Sequence, residues 1–203
     1  MQKKIRNFRV VFNAPAVLAF SLLCLAVLLL NALTNGGAGH ALFSVYRSSL
    51  ANPLTYLRFF GHALGHRDWN HFFGNIMYIL ILGPMLEEKY GSASMVFLML
   101  VTAFATGVLT FLFAPGVAMC GASGIVFAMI LLSSFTEFQE HTIPLTVILV
   151  AVLYTGQQIY SAVTVGGSVA YGAHIVGGLI GMLIGYAANK RKKPAAWGGR
   201  RAT

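Results

Sequence analysis

Apolar residues fill this chain in long runs, and the polar residues gather between them. The first run, Pro15 to Leu33, follows a basic segment and so resembles a secretory signal. It outlasts the 7 to 15 apolar residues typical of a signal core and approaches the roughly 20 that a helix needs to cross a bilayer, which predicts a retained membrane span. A second span is predicted over Phe72 to Leu86, short, broken near its end by Pro84 and closed by Glu87-Glu88-Lys89. From Lys89 to Glu137 no charged residue occurs, which leaves room for two spans at about 92–113 and 119–135 around a turn at Ala114-Pro115-Gly116. Glu137 to His141 reads as a polar loop; a fifth span then runs from Pro144 to about Tyr160, and Gly166-Gly167 joints it to a sixth at about 168–188.

Between the first two spans lies a long mixed segment, Thr34 to Asn70. Within it Leu54, Leu57, Phe60 and Leu64 recur near helical spacing with Arg58 among them, which predicts an amphipathic helix lying in the membrane interface. The expected fold class is an all-α membrane protein, a bundle of six transmembrane helices with a long interfacial first loop. It forms one domain over residues 1–203, with short basic tails at about 1–10 and 189–203.

Composition agrees, with 57% hydrophobic and 9% charged residues over 203 positions. The net charge of +9 suggests a nucleic-acid partner until its distribution is considered. Ten of the 14 basic residues sit at the two ends, Lys3, Lys4, Arg6 and Arg9 before the first span and Lys190 to Lys193 with Arg200 and Arg201 after the last. Positive charge marks the cytoplasmic side, so both termini are expected there, touching lipid rather than nucleic acid. The five acidic residues, Asp68, Glu87, Glu88, Glu137 and Glu140, all fall between the apolar runs. A transporter that couples to protons or metal ions normally needs carboxylates inside the membrane, so that class is disfavoured. Cys24 and Cys120 are poorly placed for a disulfide.

With the N-terminus inside, the even-numbered spans start at the outer surface. His71 and Asn75 then head the second span, Ser123 the fourth, and His174 lies about two turns into the sixth. Four uncharged polar groups, distant in sequence, meet at one depth. Ser123 sits in Gly121-Ala122-Ser123-Gly124, where small residues by themselves report close helix packing. Ala173, Gly177, Gly181 and Gly185 recur every four residues, a smooth column that lets another helix approach and bring Ser123 toward His174 as its general base. His71 and Asn75, four residues apart on one face, are each able to donate to an oxyanion, as are the unpaired N–H groups at the helix start of Ser123. No acidic residue is placed to orient His174, which leaves a dyad held by packing. His62 and His66 have the spacing of a zinc-protease helix, but Ala63 stands where the catalytic glutamate belongs, and no metal or other cofactor is expected.

These residues together resemble the rhomboid intramembrane serine proteases over essentially the whole chain. The matching elements are His62 and His66, His71-Phe72-Phe73-Gly74-Asn75, then Gly83, Glu87 and Gly91, then Gly121-Ala122-Ser123-Gly124, and Ala173-His174 with Gly177 and Gly181. The resemblance implies a six-helix bundle in which Ser123 and His174 form a catalytic dyad in a water-filled cavity open to the outside. It further implies that His71, Asn75 and the Ser123 backbone N–H stabilise the oxyanion, that the fifth span with its following loop gates substrate access, and that Gly121, Gly124, Phe127, Gly177, Gly181, Glu87 and Arg58 support the site. Two positions depart from the family pattern. Leu57-Arg58 stands where many relatives have Trp-Arg, and Phe127 where many have Tyr, keeping the ring beside His174 but losing a hydroxyl.

The expected activity is hydrolysis of a peptide bond in a membrane-anchored protein near the outer face of the membrane. The rival is a non-catalytic relative that binds membrane helices, a class that loses the serine or the histidine. Small size and the lack of an appended domain suggest a prokaryotic plasma membrane.

Overall fold

A computed structural model of the chain describes residues 11–136, 145–164 and 168–190. The basic tails, the Glu137 to His141 loop, Pro144 and Gly166-Gly167 lie outside the described residues. Within them the protein is all helical: α1 (Pro15–Leu33), α2 (Gly37–Leu42), α3 (Pro53–Gly61), α4 (Trp69–Tyr90), α5 (Ser92–Phe113), α6 (Ser123–Ser133), α7 (Leu145–Thr164) and α8 (Ser168–Lys190). Four of them are long and apolar enough to cross a membrane, namely α1, α5, α7 and most of α8, and α6 is a shorter apolar helix.

Packing follows the distribution of small and apolar residues. A continuous core from Val17, Cys24, Ile79, Leu98, Ile125 and Met129 ties α1, α4, α5 and α6 together. The opposite faces expose large apolar side chains such as Met77, Ile81, Phe97 and Leu153, each more than half exposed, as expected of a surface solvated by lipid. Helix α6 lies most extensively against α8, along the predicted small-residue column. A methyl group on Gly177 would strike the Gly124 carbonyl oxygen, and one on Gly181 the Ala128 carbonyl oxygen. Only glycine permits the backbones to approach this closely.

The Gly83, Glu87 and Gly91 triplet performs three separate jobs at the end of the bundle away from Ser123. A Cβ on Gly83 would lie 2.6 Å from Val17 Cγ2, so glycine there lets α1 close on α4. The Glu87 carboxylate accepts hydrogen bonds from the Ala16 and Val17 N–H groups, both at 2.9 Å, and from Ser92 Oγ at 2.6 Å. It satisfies the N–H groups that the start of α1 leaves unpaired and sits at the positive end of the helix dipole. Gly91, at φ 84°, turns the chain from α4 into α5.

Several expectations are corrected here. The second predicted span, Phe72 to Leu86, extends at both ends: Asp68 Oδ1 accepts from the His71 N–H at 2.8 Å and caps α4 three residues earlier, and Pro84 is carried inside the helix. Glu87, one of the residues read as closing that span, is buried, 4% exposed, because α1 docks over it. The fourth predicted span, at about 119–135, begins only at Ser123. Before it, Met119 pairs with Val45 through two backbone hydrogen bonds of 2.8 and 2.9 Å, and Gly121 N–H donates to His62 O. The expected amphipathic helix forms as α3, with Thr55, Arg58 and Phe59 toward the bundle. Thr55 and Arg58 are buried while Leu54, Leu57 and Phe60 face outward. Arg58 Nε donates to Ala41 O at 2.8 Å, and its guanidinium lies 4.5 Å from the centre of the Tyr46 ring, which makes burial of the charge tolerable.

Candidate active site

Three helix ends converge where α6 starts. Because residues 117–122 run into the bundle without helical structure, Ser123 is the first residue of a short helix, and its first-turn N–H groups have no intrahelical partner. A Cβ on Gly124 would lie 3.1 Å from Thr106 Cγ2 and 3.7 Å from the Ala173 carbonyl oxygen, and α8 closes against Gly124 through Gly177. This close approach sets His174 beside Ser123, with Nε2 2.9 Å from Oγ.

His174 is held on three sides. Phe127, one turn after Ser123, stacks on its imidazole with ring centres 4.1 Å apart and planes 12° apart. Tyr171 meets it edge-on at 6.0 Å, and Tyr154 of α7 packs against Phe127 at 4.1 Å. The third contact was not anticipated from the sequence. His174 Nδ1 lies 2.9 Å from Oε1 of Gln158, a 5% exposed side chain of α7. The histidine is thus fixed by a hydrogen bond as well as by packing. The signal in the sequence was an amide inside an apolar span, Gln157-Gln158, where an unpaired polar group is costly.

Facing the serine are His71 and Asn75, one turn apart on α4. Gly121, at φ 131°, presents its bare Cα to both: a Cβ there would lie 2.6 Å from His71 Nε2 and 3.7 Å from Asn75 Nδ2. Asn75 Nδ2 also donates to His71 O at 3.1 Å, which leaves its second N–H for another acceptor. A cavity of about 440 Å³ opens between these groups, lined by Ser123, His174, His71, Asn75, Arg67 and Tyr171. Donors on one side and a serine paired with a base on the other form the constellation used for acyl transfer.

The structure brings Ser123, His174, His71, Asn75, Gly121, Gly124, Phe127 and Gly177 together. Gly181 acts one turn deeper, while Glu87 and Arg58 lie away from the site and act on helix docking. His62 and His66 do not share a helix face, since α3 ends at Gly61. His62 Nε2 instead bonds Ala103 O at 3.0 Å and His66 Nδ1 bonds Leu64 O at 3.2 Å. Burial holds the His66 imidazole below the usual histidine range, at about 4, and so keeps it neutral. Among the described residues, no group of three or more His, Cys, Asp or Glu side chains is arranged to hold a metal ion.

Residues 53–191 match the model of the Rhomboid domain, more than half of the chain. The chain is 30% identical over 158 residues to rhomboid-related protein 2 of Mus musculus, covering 68% of this chain and 52% of the relative. It is 26% identical over 176 residues to the rhomboid protease GlpG of Yersinia enterocolitica and 28% identical over 177 residues to that of Yersinia pseudotuberculosis, in each case covering 85% of this chain and 62% of the relative. The chain thus spans between about half and three fifths of the length of these relatives.

Proposed function

The chain belongs to the rhomboid family and is an integral membrane protein, and from that premise we propose that it is a serine endopeptidase cleaving membrane-anchored proteins. The observation that supports this most is the 2.9 Å approach of His174 Nε2 to Ser123 Oγ beside a cavity that His71, Asn75 and Arg67 also line. In the proposed reaction, neutral His174 takes the Ser123 hydroxyl proton through Nε2 as Oγ attacks the scissile carbonyl carbon. The tetrahedral oxyanion accepts hydrogen bonds from the Ser123 N–H, His71 Nε2–H and Asn75 Nδ2–H. His174 then protonates the leaving amine as the C–N bond breaks. A water molecule, deprotonated by His174, hydrolyses the acyl-serine and returns the enzyme.

The substrate is read as a transmembrane or membrane-anchored protein whose helix unwinds near the outer face, since a helix in lipid has its backbone groups already satisfied. This reading carries a six-span topology, α1 and α4 to α8, with both basic ends in the cytoplasm and α7 beside the substrate's path. The plasma membrane of a prokaryote is the compartment proposed, the class of organism from which two of the relatives come.

The test is cleavage of a transmembrane reporter by the purified protein in proteoliposomes. Ser123→Ala is expected to abolish cleavage, and Asn75→Ala or His71→Ala to slow it by about a hundredfold to a thousandfold, the usual effect of losing one oxyanion donor. Equal activity of all four proteins overturns the assignment, and a folded wild type that binds the reporter without cutting it selects the non-catalytic rival.

A further inference from the structure

Gln158 lies outside the serine and histidine pair, yet it makes the only polar contact of the His174 nitrogen that faces away from the serine, among the described residues. A neutral imidazole carries its proton on one nitrogen and offers a lone pair on the other. If Nδ1 holds the proton, Nε2 is the acceptor that Ser123 requires. If Nε2 holds it, the ring donates to Oγ and is useless as a base. The choice is made by whatever meets Nδ1, and here that is an amide oxygen at 2.9 Å.

We propose that Gln158 is the positioning residue of this site: its Oε1 accepts the Nδ1 proton of His174 and thereby holds the imidazole in the tautomer and orientation that let Nε2 receive the Ser123 proton. The inference rests on the proposed function above. It adds a third member, supplied by α7, to a pair supplied by α6 and α8.

The surroundings explain why an amide suits this place. A carboxylate at this depth carries a heavy desolvation cost unless fully paired, whereas a neutral amide orients the ring without burying a charge. It gives up the stabilisation that a carboxylate would lend to the imidazolium formed during attack. The position on α7 is equally informative. Gln158 and Val147 are the buried residues of that helix, while Leu149, Val152, Leu153 and Ile159 face outward. One of the contacts that seat α7 against the bundle is thus also the one that meets Nδ1 of His174. The other titratable groups near this ring among the described residues are Tyr171 on α8, with Arg67, His71 and Cys120 lining the same cavity. None of their hydrogen bonds reaches Nδ1 among the described residues.

The experiment uses the whole protein in detergent and two readouts. The first is the rate at which a fluorophosphonate labels Ser123, located by peptide mass spectrometry. The second is the histidine ring ¹⁵N spectrum above pH 8, well beyond the ordinary histidine pKa of about 6.5, with the His174 signals assigned by their loss in His174→Ala. Wild type is expected to show His174 protonated at Nδ1. Gln158→Met keeps the length of the side chain without the acceptor, and is expected to give a mixture of tautomers and labelling slowed by at least about tenfold, since a wrong tautomer costs a triad enzyme far more. Gln158→Glu restores the acceptor and is expected to recover Nδ1 protonation and labelling.

A wild-type ring protonated at Nε2 overturns the proposal without any variant. Unchanged tautomer and labelling rate in a folded Gln158→Met overturn it too. If Gln158→Met does not fold, the wild-type spectrum and Gln158→Glu still decide. Failure of the underlying function shows differently: wild type then leaves Ser123 unlabelled whatever the tautomer of His174.

Discussion

Replacing Gly177 by alanine tests whether the glycine column on α8 sets the geometry of the site. A Cβ at this position would sit 2.9 Å from the Gly124 carbonyl carbon and 3.1 Å from its Cα, and closer still to the carbonyl oxygen, where ordinary contact begins at 3.4 Å. Backbone atoms have no rotamer to escape into, so α6 and α8 must separate by roughly half an ångström to an ångström. Ser123 precedes Gly124, and His174 lies one turn before Gly177, so the separation passes directly into the 2.9 Å contact between Oγ and Nε2. That contact then exceeds the roughly 2.6 to 3.2 Å over which a base takes a proton. A misplacement near 1 Å costs on the order of a hundredfold, so kcat/KM for a transmembrane reporter is expected to fall by about tenfold to a hundredfold. Overpacking costs about 1–3 kcal/mol, partly offset by the roughly 1 kcal/mol by which alanine favours a helix over glycine. Gly178→Ala is the control, because its Cβ meets the flexible Leu131 side chain at an ordinary 3.5 Å. It is expected to cleave like wild type and unfold at the same or a higher temperature. Gly177→Ala cleaving at the rate of Gly178→Ala would refute the reasoning.

Three further outcomes are expected. Glu87→Ala removes three hydrogen bonds to a carboxylate at the start of α1, each worth about 1.5–3 kcal/mol at most, and should lower the thermal midpoint in detergent markedly while Ser92→Ala lowers it little; equal midpoints would show that the cap contributes nothing. Phe127→Leu removes the stacked ring from His174, an interaction of about 0.5–1.5 kcal/mol beyond its area, and should cut reporter cleavage by about twofold to tenfold with Phe127→Tyr near wild type; undiminished cleavage by Phe127→Leu would remove the ring from the account. Gly121→Ala places a methyl against His71 Nε2 at a positive φ, and should depress cleavage more than Asn75→Ala does, measured in the same reporter assay.

The legible parts of this protein were those governed by local rules. The bounds of α1 and α5 follow from uninterrupted apolar runs, and the glycine column from its spacing of four. Ser123, His174, His71 and Asn75 stood out because they are polar residues in or beside apolar runs that otherwise exclude them. Boundaries set by single contacts were harder. The start of α4 depends on the Asp68 cap, and the late start of α6 on the pairing of Met119 with Val45, a contact between segments 74 residues apart that no pattern announces.

What the sequence by itself determined is the class of protein, the positions of most spans, the order of the polar residues along them and the family they match. These depend on hydrophobicity and periodicity, which act within one segment at a time. Only the tertiary structure decided which groups touch: that the buried Glu87 caps the start of α1, that α3 turns Arg58 inward, and that Gln158 of α7 reaches His174 Nδ1. The physical reason is that a polar group in a low-dielectric interior must find a partner, and the partner comes from whichever helix the small residues allow to approach.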